Sequence, residues 1–203
     1  MVMQQATDFL EESKALAGLL AALSDSDFET QTQFKGWTIN NIVRHLHVWN
    51  IAVDLSLQDE AAFGAFVTAM MAGVRGGKLP AFEASYLDGI SGQALLQAWL
   101  ERTEAVAAAF ADADPKLRLK WVGPDMSALS SITARLMETW AHAQAVYDVL
   151  GVVRQDTDRI GNIVRLGVNT WGFTWKNRRQ DPPGPMPQVH LTAPSGAIWE
   201  YAR

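Results

Sequence analysis

The chain contains no cysteine. Disulfides, thiolate metal ligands and a cysteine nucleophile are therefore excluded, and any metal site must be built from His, Asp and Glu. Histidine is scarce, with 4 in 203 residues: His45, His47, His142 and His190. Basic residues do not predominate, since 17 Lys and Arg stand against 22 Asp and Glu for a formal net charge of -5. That balance argues against a nucleic-acid partner, which favours a basic face. No apolar run approaches the roughly 18 to 20 residues that a membrane-spanning helix needs. The opening Met1-Val2-Met3-Gln4-Gln5 has no basic stretch leading into an apolar core, so no signal peptide is expected. These absences point to a cytoplasmic protein with no membrane and no nucleic-acid partner. What is present is ample apolar content, 48% of residues, enough for one domain with a sizeable core.

Apolar periodicity predicts long helices. The first runs from a Thr7 cap to about Leu23, with Phe9, Leu16, Leu20 and Leu23 as its stripe. Phe28 to Gly36 reads as a connecting loop. Thr38 caps a second helix to about Leu57, striped by Ile39, Ile42, Val43, Leu46, Trp49 and Val53. A further helical stretch covers Asp59 to Val74, and Gly76-Gly77-Lys78-Leu79-Pro80 breaks it. Ser91 starts a third long helix that Asp114-Pro115 closes. After a loop at Trp121-Val122-Gly123-Pro124-Asp125, Ser127 or Ser130 caps a fourth, which ends at Leu150-Gly151. A shorter helix is expected from Asp158 to about Trp171. Beyond the Asp181-Pro182-Pro183-Gly184-Pro185 breaker, Gln188–Thr192 and Ala197–Tyr201 alternate around a Pro194-Ser195-Gly196 turn and read as a hairpin. The expected fold is mainly α: a four-helix bundle over residues 1–152, then a C-terminal extension of helix plus hairpin over 153–203. A lone hairpin is marginal in water. It is expected to dock on the bundle or on a second copy in a homodimer, or to begin a truncated α+β domain.

Glu138 and His142 stand four apart on the fourth helix and so share a face. Their neighbours there are Ala134, Ala141, Ala145 and Val149, so the pair is expected in a poorly solvated interior. A buried carboxylate needs a cation or hydrogen-bond donors; the competing reading is an i,i+4 ion pair on a wet face. On the second helix, His45 and His47 each lie about 100° from the stripe centre on opposite flanks, so periodicity does not choose between them. His190 is expected to be structural or exposed. One histidine from the second helix with Glu138 and His142 gives an N/N/O donor set. Three protein ligands leave a coordination position open. Such donors suit a divalent metal, zinc by default, and also nickel, iron or manganese.

Gly36-Trp37-Thr38 and Arg44-His45-Leu46 resemble the metal-binding helix of DinB-like proteins. They are more closely similar to the N-terminal domain of mycothiol-dependent maleylpyruvate isomerases. The resemblance implies a DinB-like four-helix bundle, selects His45 over His47 as the ligand, and matches the family's second motif to Glu138 and His142. Trp121-x-Gly123-Pro124-x-Met126-Ser127, Thr133 to His142, Pro182-Pro183 and Leu191 to Gly196 resemble a subgroup described only as metal-binding. An acidic residue common in the family three positions after the last ligand is replaced here by Ala145.

The resemblance implies thiol-dependent isomerisation or transfer on a small electrophilic substrate, with a low-molecular-weight thiol, mycothiol or glutathione, supplied from outside the chain. A thiol at an open metal position deprotonates readily, and its thiolate is the nucleophile. Trp49, Trp140 and Tyr147 are candidate pocket residues, although at helical spacing such residues are more often core. Arg135 and Arg44 are candidate anion contacts whose plainer reading is a surface arginine. A metal-dependent hydrolase and a non-catalytic metal-stabilised binding module remain alternatives at this level.

Overall fold

A computed structural model describes residues 2–74 and 79–201. The chain divides into two compact units, residues 1–154 and 155–203. The first is a four-helix bundle of α1 (Gln4–Leu20), α2 (Ile39–Gln58), α5 (Gly92–Asp112) and α6 (Ala128–Leu150), with α3 (Glu60–Gly73) and α4 (Leu79–Tyr86) inserted between α2 and α5. Helix α1 packs on α5 and α6, and α2 packs on α5 and α6 while carrying α3 and α4 on its outer side. The interior is closed by side chains with almost no exposure, among them Phe9, Leu16, Leu20, Phe28, Ile42, Leu46, Trp99, Phe110, Ile132 and Leu136. No helix among the described residues is long and apolar enough to cross a membrane.

The two helices that matter most for the site are firmly terminated. Thr38 and Asn41 form a reciprocal capping box at the start of α2, with bonds of 3.2 and 3.0 Å. Ser127 caps α6 by accepting from the Ser130 amide at 3.1 Å. Gly151 ends α6 at φ 67°, the left-handed conformation that favours glycine. Between α1 and α2 the chain folds back on itself: the Thr32 amide and hydroxyl both donate to the Trp37 carbonyl at 2.8 Å. This holds the side chains of Phe34 and Trp37 at the end of the bundle.

Three expectations about element boundaries need correction. Helix α1 starts at Gln4 and ends at Leu20, so Thr7 lies inside it. Its start is fixed by packing rather than by a polar cap, because Met3 is buried and its amide donates to the Ala111 carbonyl at the end of α5. Leu79 and Pro80, read as part of a breaker, begin α4; proline is tolerated in a first turn, where its missing N–H has no helical partner. Gly76, Gly77 and Lys78 lie outside the described residues. The single helix expected over 158–171 is a 3-10 turn (Asp158–Ile160), α7 (Gly161–Asn169) and a further helix α8 (Trp171–Asn177). The break falls at Thr170, whose hydroxyl donates back to the Leu166 carbonyl at 2.9 Å.

In the second unit, β3 (Val189–Thr192) and β4 (Ile198–Tyr201) pair antiparallel, with His190 opposite Glu200 and Leu191 opposite Trp199. The Ser195 amide and hydroxyl donate to Asp158 at 2.9 and 2.6 Å, tying the hairpin turn to the 3-10 turn. Gly161 sits against the Trp199 ring so closely that a Cβ there would lie 3.1 Å from it. A second two-stranded ladder, β1 (Arg118–Leu119) with β2 (Met126–Ser127), belongs to the first unit and frames the 120–125 loop.

Candidate metal centre

Helices α2 and α6 face each other across the bundle, and three polar side chains from them meet at one point. One ligand atom from each of His45, Glu138 and His142 lies within 4.8 Å of the others. His45 Nε2 is 3.6 Å from Glu138 Oε2, and His142 Nε2 is 3.1 Å from that same oxygen. Ligands about 2.0–2.1 Å from a tetrahedral ion sit roughly 3.3 Å from one another. The two separations bracket that spacing, so the donor set fits a single divalent ion. Glu138 is more open than its alanine-rich helix face implies: its side chain is 34% exposed, against 11% for His45 and 12% for His142.

A fourth residue completes the arrangement, and it comes from α4. Glu83 has no exposure. Its Oε1 accepts from His45 Nδ1 at 2.7 Å and from Trp49 Nε1 at 3.1 Å. The proton is therefore held on Nδ1, and the Nε2 lone pair turns toward Glu138. A carboxylate behind a ligating imidazole orients the ring and makes it a better donor. Burial opposes protonation of His45, but its bonds to Glu138 and Glu83 outweigh that and raise its pKa above the ordinary histidine value. For Glu138 burial is likewise the largest influence, and His142, His45 and the charge of Arg135 overcome it to hold the carboxyl well below the usual range. Both shifts say that this point favours a positive charge between the carboxylates.

The histidine rings are buttressed by aromatics. The His45 and His142 ring centroids are 4.7 Å apart. Phe34 meets His142 edge-on at 4.9 Å, and Trp37 lies parallel to it at 6.0 Å. Beside the cluster is a cavity of about 220 Å³ lined by His45, Trp49, Trp121, Val122, Ala134, Arg135 and Glu138. Arg135 is 3% exposed, and burial pushes its pKa down to about 10 despite Glu138 and Glu83 nearby. Its Nε donates to Asn50 Oδ1 at 3.1 Å, and Asn50 in turn donates to Thr103 at 3.0 Å.

Trp49 and Arg135 thus line the cavity, and Arg135 is buried rather than on the surface. Trp140 and Tyr147 do not line it. Two and five residues on from Glu138 and His142, they point to another face of α6, where the Arg154 guanidinium covers their rings at 4.9 and 5.4 Å. Arg44 is a structural tether, donating to the Ile90 and Gly89 carbonyls at 2.8 and 3.3 Å. His47 is buried away from the cluster; burial, and then the charge of Arg102, push its pKa down to about 4. His190 is exposed and pairs with Glu200 at 3.3 Å.

Sequence reasoning missed Glu83, Phe34 and Trp37 as parts of the centre, and it read Trp121-Val122 only as a loop. Glu83 carried no usable signal, since it lies on a helix of about two turns with a proline in its first turn. Trp121 was visible within the Trp121-x-Gly123-Pro124 motif.

The family model of the mycothiol maleylpyruvate isomerase N-terminal domain matches residues 9–147. The chain belongs to that family. The matched span runs from α1 through most of α6 and contains all three candidate ligands, Glu83 and Arg135. Uncharacterized proteins from two strains of Mycobacterium tuberculosis are 36% identical over 195 residues, covering 96% of this chain and 75% of theirs. The crystal structure of the mycothiol-dependent maleylpyruvate isomerase superposes with a TM-score of 0.62 at 16% identity, covering 96% of this chain and 78% of that one. A histidine-to-alanine mutant of that isomerase gives a TM-score of 0.60 at 15% identity over the same shares. These structures share the fold of this chain, a DinB-like bundle.

Proposed function

We propose that this protein binds one divalent metal ion through His45, Glu138 and His142 and acts as a thiol-dependent isomerase or transferase on a small electrophilic substrate. The observation that carries the reading is the convergence of two imidazole nitrogens and a carboxylate oxygen at metal-ligand spacing. Membership of a family named for a mycothiol-dependent isomerase supports the thiol chemistry. A divalent ion with three protein donors keeps a position open for an outside ligand and lowers the pKa of a thiol bound there. Zinc suits two imidazoles and a carboxylate.

This chain's residues supply the rest. Glu83 fixes the His45 tautomer, and Phe34 and Trp37 immobilise the His142 ring. Trp49, Trp121 and Val122 keep water from one side of the centre. The cavity, at about 220 Å³, is smaller than the roughly 300–1,000 Å³ of ordinary ligand sites. It takes the reacting fragment of the substrate, and the bulk of the thiol lies outside it. A hydrolytic reading fits less well, because the ionisable groups among the described lining residues are His45, Glu138 and Arg135, and the first two are spent as ligands.

Elemental analysis of protein purified without chelator tests the metal, with one equivalent expected in the wild type and none in His142→Ala. Turnover of activated alkenes with a panel of small thiols, against water alone, tests the chemistry. Metal-free wild-type protein, or turnover that ignores the thiol, refutes the proposal.

A further inference from the structure

One polar group beside the centre has no task in that reading. Arg135 projects from α6 one turn before Glu138 and lines the same cavity. Its Nε is spent on Asn50, but its Nη2 is buried and has no hydrogen-bond partner. A buried guanidinium nitrogen left unsatisfied is costly, and on a side chain that lines a cavity it is suited to a ligand oxygen. Charge leads to the same class of ligand. With both imidazoles neutral, a divalent ion beside Glu83, Glu138 and Arg135 leaves a single net positive charge in a poorly solvated space. The other walls, from Trp49, Trp121, Val122 and Ala134, are apolar.

We propose that Arg135 is the anion-recognition residue of this cavity: its Nη2 takes a carboxylate oxygen of a small, mostly apolar acid whose other end reaches the His45–Glu138–His142 cluster. The inference rests on the metal reading above, because without the ion the two glutamates repel an anion. It assigns Arg135 a specificity role that the ligand set does not require. The Asn50–Thr103 chain behind it pre-orients the guanidinium, so little side-chain entropy is lost on binding.

The test uses cobalt(II)-loaded protein titrated with crotonate and with crotonamide, which match in shape and differ in charge. Binding is read from the visible absorption of cobalt and from heat. Crotonate is expected to bind about tenfold to a hundredfold more tightly, the range of a charge-assisted hydrogen bond. Arg135→Gln should reduce the preference to within about threefold at unchanged cobalt stoichiometry. Arg135→Lys, which keeps the charge and loses the planar fork, should retain part of it. Equal affinity of the wild-type protein for the two probes overturns the inference without any variant. A preference that persists in Arg135→Gln also overturns it, since the carboxylate then binds the ion without help from Arg135. Wild-type protein that takes up no cobalt removes the metal reading and this inference together. Stoichiometric cobalt with no charge preference removes this inference alone.

Discussion

Replacing Glu83 with glutamine separates metal binding from folding. The glutamine is nearly isosteric, and its amide oxygen can still accept from His45 Nδ1 and Trp49 Nε1, so the geometry survives. What goes is the negative charge 2.7 Å from the imidazole. A hydrogen bond to a charged group is worth about 1.5–3 kcal/mol and a neutral one about 0.5–1.5. The imidazole therefore loses roughly 1–1.5 kcal/mol of polarisation, which weakens metal binding about tenfold. That lies at the lower end of the 10- to 100-fold typical of groups behind a ligating histidine. Stability of the metal-free protein should respond differently. Glu83 Oε2 is buried without a partner, so loss of its charge relieves a desolvation cost while it weakens the bonds from His45 and Trp49. The two effects offset, and the metal-free unfolding free energy should change by less than about 1 kcal/mol. Chelator competition reads the metal Kd, and urea unfolding of stripped protein reads the stability. A Kd within twofold of wild type at intact stability refutes the role given to Glu83. A large stability loss at unchanged Kd shows Glu83 to be a packing residue.

His47 gives a pH test. It is buried with a pKa near 4, against about 6.5 when unfolded. The unfolded chain takes up a proton that the native state refuses, so stability is full above pH 6.5 and falls by up to about 3 kcal/mol as pH drops to 4. Urea melts of metal-stripped His47→Gln should lack that part of the acid limb, and a limb identical to wild type rejects the assignment. Arg154→Ala should cost about 1–3 kcal/mol in thermal unfolding, because it removes the guanidinium that lies 2.8 Å from Glu12, whose side chain is 5% exposed, and that covers the Trp140 and Tyr147 rings. A shift below 1 °C would show that the pair is not holding α1 to the end of α6. Trp99→Ala empties the centre of the bundle, where Trp99 has no exposure, and should cost about 3–5 kcal/mol. Denaturant midpoints equal to wild type would mean that α5 packs elsewhere in solution.

The bundle was legible because its signals are local. Apolar stripes on α2, α5 and α6, the Thr38 and Ser127 caps and Gly151 each act within a turn or two of chain. Glu138 and His142 were legible for the same reason, being one turn apart. The choice of His45 over His47 was not available from periodicity, since both flank the stripe; it rested on the family motif around Arg44-His45-Leu46. What distinguishes His45 in the fold is its bond to Glu83, 38 positions away on a short helix that no pattern announces. Arg135 read as a surface residue because Asn50, which accepts from its Nε, lies 85 positions back on another helix. Trp140 and Tyr147 looked like pocket residues by type, yet their angular positions on α6 carry them to Arg154. Contacts between residues distant in sequence are what a single chain read alone leaves unspecified.

The position of Glu83 on α4 has a thermodynamic consequence. Helix α4 touches the centre through this one carboxylate, and the loop after it is anchored by Arg44 to the Gly89 and Ile90 carbonyls. If docking of α4 strengthens the grip on an ion, the ion must strengthen the docking of α4 by the same factor, because linkage runs equally in both directions. Occupancy of the centre would then be readable from slowed amide exchange over residues 79–86, at a distance from any ligand atom.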